Sequence, residues 1–119
     1  MTKPGPETKL VERMRVKIKR AYPSAWIVKV HGGSYQASGI PDLVVVVNGL
    51  FIGIEVKAQG PTETEHHARE RATPTQRATM AKIDRAHGVA GVALTPEEAL
   101  EIVESAVNGK PLDPLYVVR

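Results

Sequence analysis

Residues 39–57 read Gly-Ile-Pro-Asp-Leu-Val-Val-Val-Val-Asn-Gly-Leu-Phe-Ile-Gly-Ile-Glu-Val-Lys. Two β-rich runs, Leu43–Val47 and Leu50–Val56, flank Asn48-Gly49, a dipeptide that favours a type I′ hairpin turn because both central residues take positive φ. With those two residues as the whole loop, Val47 faces Leu50, and the same register puts Asp42 opposite Glu55. Side chains directly opposite on neighbouring strands have Cβ atoms about 4.5–5.5 Å apart, and like charges there repel. Two acids so placed call for a cation between them.

Strand alternation puts Ile52, Ile54 and Val56 on one face and Phe51, Gly53, Glu55 and Lys57 on the other, so Lys57 points the same way as both acids. A salt bridge from Lys57 accounts for one carboxylate and leaves the second unexplained in a valine-rich sheet. Carboxylate oxygens with a nearby backbone carbonyl make a hard-ligand site suited to Mg²⁺ or Mn²⁺. Such a cation beside a lysine suits phosphodiester hydrolysis. The metal polarises the phosphate and lowers the pKa of a bound water, while the ammonium positions that water and offsets developing charge.

Away from the hairpin, Glu7–Tyr22 reads as an amphipathic helix ended by Pro23. Glu7, Leu10, Val11, Met14, Ile18 and Ala21 share one face, and Lys9, Arg13, Lys17 and Arg20 the other, so Glu7 is an acid turned inward. Trp26–Val30 reads as a strand entering His31-Gly32-Gly33. Gly60–Ala72 has no useful periodicity and reads as a mobile surface loop, in part helical. Thr73 caps the next helix with Pro74 at its first position; Gln76, Met80, Ile83 and His87 form its stripe and Gly88 closes it. Val89–Leu94 is a short strand, Glu97–Val107 an acidic helix, and Leu115–Val118 a final edge strand. The order α-β-β-β-α-β-α implies an α/β protein, a mixed β-sheet flanked by helices.

The 119 residues suit a single domain over 1–119, with its core about 7–107 and a loop insertion about 60–72. No apolar run approaches the ~18 residues of a membrane span, and the polar start lacks a signal-peptide core, which leads us to expect a cytoplasmic protein without membrane partners. The lack of cysteine excludes disulfides, zinc–thiolate sites and thiol catalysis. Eight Lys or Arg stand between Met1 and Lys29 against two Glu, so the basic helix face offers a nucleic-acid backbone a patch that gives affinity without sequence information. Lys29 and His31, next to flexible glycines, are further candidate phosphate contacts. His66 and His67 are adjacent and diverge, and His87 suits packing or a helix C-terminal charge.

Pro41-Asp42, twelve intervening residues and Glu55-Val56-Lys57 resemble the signature of the PD-(D/E)XK nucleases. With Gly39-Ile40-Pro41-Asp42-Leu43 before it and Thr73-Pro74-Thr75-Gln76 after it, the chain from about Glu7 to about Leu94 resembles the VRR-NUC branch, especially small stand-alone members from phages and prophages. Lys29–Gln36 is similar to the segment those members carry before the motif, whereas the loop 60–72 is longer than their usual link. The resemblance implies a restriction-endonuclease-like fold. Asp42, Glu55, the Val56 carbonyl and the helix acid Glu7 would bind metal, Lys57 would be the catalytic lysine, and Gln76 would be an active-site helix residue. It also implies a DNA endonuclease selecting structure over sequence, such as Holliday junctions or flaps, and acting as a homodimer in the cytoplasm of a bacterial host. Two other readings remain: a non-catalytic DNA-binding subunit of a phage replication or recombination assembly, and a phosphohydrolase of small nucleotides.

Overall fold

Asn48 and Gly49 take φ of 52° and 75°, the backbone of a type I′ turn, and the strands they join pair in the expected register from Val47↔Leu50 to Leu43↔Ile54. This computed structural model describes residues 5–30 and 39–119. The elements in chain order are α1 (Pro6–Ala21), β1 (Trp26–Lys29), β2 (Leu43–Val47), β3 (Leu50–Val56), α2 (Glu65–Glu70), α3 (Pro74–Arg85), β4 (Val89–Ala93) and α4 (Pro96–Val107), then a 3₁₀ turn over Pro114–Tyr116. The sheet order is β1-β2-β3-β4, antiparallel except for the parallel β3–β4 pair, which needs the α2–α3 crossover.

Each sheet face has its own cover. Leu43, Val45, Val47, Ile52, Ile54 and Val56 are buried with Leu10, Met14 and Ile18 of α1 and with Ile102 and Val103 of α4, forming the main core. On the opposite face a smaller cluster joins Ala68 of α2, Met80 of α3 and Val92 of β4 with Ala72, Leu94 and Val118. Glu55 pairs with Val92 across β3–β4, which puts it on this second face, under the start of α3.

Four local expectations change. The segment read as a loop contains α2, whose Thr64 cap accepts the His67 N–H and whose Ala68 and Arg69 are buried. Leu115–Val118 is no strand: Asp113 accepts the Leu115 N–H and starts the 3₁₀ turn at Pro114, and Tyr116 and Val118 then bury on opposite sides of the β4 edge. Ala21, on the helix face read as inward, is exposed at the last turn of α1. His87 lies past α3 with φ 68° and its side chain in solvent; it is the left-handed residue of a Schellman ending in which the Gly88 and His87 N–H groups donate to the carbonyls of Ile83 and Asp84.

Candidate active site

Asp42 enters β2 from a turn that only glycine permits. Gly39 has φ 87°, and a Cβ there would lie 2.7 Å from the Thr75 carbonyl oxygen, so the turn packs directly on the first turn of α3. Pro41 in turn fills the space over Gly53, where a Cβ would approach its ring to 2.8 Å. Asp42, half-buried, accepts a hydrogen bond on Oδ2 from the Val56 N–H at 2.8 Å, which ties it across the hairpin to the residue after Glu55.

Glu55 is 1% exposed. Its Oε1 accepts from Gln76 Nε2 at 2.8 Å, and Lys57 Nζ stands 3.9 Å away. Gln76 is held for this contact by a capping box, in which its Oε1 accepts the Thr73 N–H at 2.8 Å while the Thr73 hydroxyl accepts the Gln76 N–H. Burial first, and then the neighbouring Asp42 charge, push the Glu55 carboxyl up to about 9, against a smaller opposing pull from Lys57. Its second oxygen, Oε2, is buried and has no hydrogen-bond partner among the described residues. A buried acceptor left unpaired, facing a second carboxylate, fits a divalent cation that would ligate that oxygen and favour ionisation.

Glu7, read from the helix face as turned inward, is instead exposed at the rim, because it sits on the first turn of α1 beyond the end of the sheet's cover. Its Oε1 accepts from the Ala58 N–H at 3.4 Å and meets Arg71 Nη1 at 3.8 Å. Among the described residues no three His, Cys, Asp or Glu side chains cluster closely enough to hold a metal, so the acidic unit of the site is the Asp42–Glu55 pair, with Glu7 at its rim.

No protein-family model and no curated protein matches the chain. Solved structures do. A VRR_NUC domain protein superposes with a TM-score of 0.62 at 16% identity over 98% of this chain and all of its own (100%). A second VRR_NUC domain gives 0.52 at 19% identity, covering 78% of this chain and 92% of that one. Hjc, a Holliday junction resolvase from the archaeal hyperthermophile Archaeoglobus fulgidus, gives 0.51 at 21% identity, covering 74% and 67%. The fold is that of the VRR_NUC domains. At these identities the likeness is one of architecture, a restriction-endonuclease-like mixed sheet flanked by helices.

Within the VRR_NUC fold, Asp42, Glu55, Lys57 and Gln76 converge on one end of the sheet. The observed contact to Val56 uses its N–H. The other candidates scatter. Arg13, Lys17 and Arg20 line a groove of about 650 Å³ between α1 and α4, on the sheet face away from Glu55, where Lys17 also approaches Glu97 at 3.9 Å. Of the basic face only Lys9 shares a turn with Glu7; Arg20 is roughly 20 Å further along the helix. Lys29 faces α1 and pairs with Glu12 at 3.0 Å. His31 lies outside the described residues. The reading of the sequence missed Glu63 and Arg71, which fold back to the rim beside Ala58; their eight-residue spacing over a turn gives no periodic signal.

Proposed function

We propose that this protein is a Mg²⁺- or Mn²⁺-dependent endonuclease of the PD-(D/E)XK type that hydrolyses phosphodiester bonds in branched DNA. The observation that carries the proposal is the Asp42–Glu55 pair, in which the buried Oε2 of Glu55 has no partner while Gln76 and Lys57 both approach Oε1. When bound there, a divalent cation would supply Lewis acidity toward the phosphate and ease ionisation of water. Asp42 and Glu55 would hold it. Gln76 fixes the Glu55 carboxylate plane by donating to Oε1, leaving Oε2 for the ion. Lys57, 9% exposed and anchored by its N–H to the Ala93 carbonyl, keeps its ammonium in a sheltered position where it can orient the attacking water and offset charge developing on the phosphate. Glu7, from the N-terminus of α1, would complete the ligand shell directly or through water.

Branched DNA is favoured because the similar fold of Hjc belongs to a Holliday junction resolvase. A homodimer is supported by an uncovered strip on the active-site face of the sheet. Trp26, Val46 and Phe51 stand directly opposite one another across β1, β2 and β3, with Trp26 62% and Phe51 42% exposed. Beside Phe51 lies an apolar recess of about 290 Å³ lined by Ile83, Ala86, Gly88 and Thr79, sized to take the indole of a second copy. The strip begins four β2 residues from Asp42, roughly 13 Å along the strand, so a two-fold pair would turn both sites to one substrate. No described helix is long and apolar enough to cross a membrane.

A panel of four-way junction, flap, nicked and linear DNA in Mg²⁺ and in Mn²⁺ tests this. Preferential cutting of the junction or flap is expected; equal cutting of linear duplex would remove the structure selectivity, and turnover of mononucleotides alone would favour a small-molecule phosphohydrolase.

A further inference from the structure

The chain between β3 and α3 brings a guanidinium to the rim of the site. Arg71, which ends α2, turns back to β3, where Nη2 donates to the Ala58 carbonyl at 2.5 Å and to Glu63 Oε1 at 3.1 Å, and Nε donates to Glu63 Oε2 at 2.9 Å. Glu63 is itself fixed from behind. Its Oε1 accepts the Gly60 N–H at 3.0 Å, its carbonyl accepts from Gln59 Nε2 at 2.7 Å, and His67 Nδ1 stands 2.8 Å from Oε2. Arg71 and the Gly60 amide hold the Glu63 carboxyl down to about 2, so this anchor is ionised at neutral pH. Two edges of the guanidinium are thus committed to the protein.

The third edge is not. Nη1 faces Glu7 Oε1 at a loose 3.8 Å, and the Arg71 side chain keeps 38% of its exposure. Ala58, whose carbonyl Arg71 holds, is the residue after Lys57, and its N–H donates to Glu7. A charged, outward-facing donor with its plane preset therefore stands one residue beyond Lys57. Its surroundings favour one: Asp42 and Glu7 bring negative charge to this end of the sheet, Lys57 is buried, Arg13, Lys17 and Arg20 lie on the other face, and among the described residues Lys9 is the other exposed cation close to Glu7. A polyanion must be drawn to an acidic rim by an exposed cation already aimed at it.

Resting on the nuclease reading above, the geometry points to Arg71 as the seat of a backbone phosphate adjacent to the one cleaved. The ligand class is a polynucleotide phosphodiester, bound through Nη1 as Glu7 turns toward the metal. A guanidinium that only shaped the loop would affect stability and leave the salt dependence of binding unchanged.

Binding of a fluorescein-labelled four-way DNA junction, followed by anisotropy in Ca²⁺ over a salt series, separates the two roles. Arg71→Ala should weaken binding about tenfold and reduce the slope of log affinity against log salt by about 0.9, the value of one phosphate contact. Arg71→Gln can still donate to Glu63 or the Ala58 carbonyl but has no charge, so it keeps the test valid should the alanine variant unfold, and it should lose the same slope. Arg71→Lys should retain the slope and lower kcat/KM through lost alignment. Unchanged slope and affinity in folded Arg71→Gln would overturn the phosphate seat while leaving the nuclease reading intact. Wild-type protein that neither binds nor cuts DNA would overturn both.

Discussion

At the scale of single residues, the account turns on a carboxyl that the fold keeps out of water. Glu55 is protonated through neutral pH in the metal-free protein, because its carboxyl is raised from 4.5 to about 9 by burial and by Asp42. The folded state then holds a proton that the unfolded chain has released, so the stability of the metal-free protein falls as pH rises from about 4.5 toward about 9. Thermal melts in EDTA should show this fall in the wild type and a flatter profile in Glu55→Gln; parallel profiles would remove Glu55 as the source. Asp42, Glu55 and Lys57 were legible in the sequence because Asn48-Gly49 fixes a register and strand alternation then fixes direction. Gln76 was ambiguous between packing and the site, since its apolar stripe does not reveal which way its amide points; the capping box with Thr73 decides it. Arg71 and Glu63 were not legible, because what joins them is a carbonyl and an amide placed by the end of β3.

At the scale of elements, long periodic segments could be read and short ones could not. The helices α1, α3 and α4 carry stripes and caps, and β2 and β3 carry a turn dipeptide. The six-residue α2 is too short for a period and is held by tertiary contacts. Chief among them is Arg69, 4% exposed, which pairs with Glu98 at 2.6 Å, donates to the Val92 carbonyl at 3.1 Å and lies 5.6 Å over the Tyr116 ring. One residue thereby fastens α2 to β4, α4 and the C-terminal turn, closing the sheet edge that Leu115–Val118 was expected to pair with as a strand. Arg69→Ala leaves Glu98 partly buried without its partner and should cost about 3 kcal/mol or more. Urea unfolding checks this: a loss under 1 kcal/mol would mean that the helix and tail dock without the pair.

At the scale of the whole molecule, the two sheet faces divide the work. The α1–α4 face supplies the core, and the opposite face carries the site at one end and the bare Trp26–Val46–Phe51 strip at the other. Composition could not show the strip, because apolar alternation in a strand does not say which face a helix will cover. If the proposed homodimer forms through this strip, Trp26→Arg should give a monomer in light scattering, keep metal binding, and lose paired incision of junctions; a wild-type protein monomeric at working concentration would contradict the proposed dimer. The central claim, that Asp42 and Glu55 hold a catalytic cation beside Lys57, is tested most directly by cleavage of a labelled four-way junction in Mn²⁺ by the wild type, Asp42→Ala and Lys57→Ala, with Mn²⁺ affinity measured on the same preparations by calorimetry. Metal-dependent cleavage by the wild type alone is expected, with Mn²⁺ binding lost in Asp42→Ala and kept in Lys57→Ala; intact DNA with the wild type, or cutting that persists in EDTA or in either variant, would contradict it.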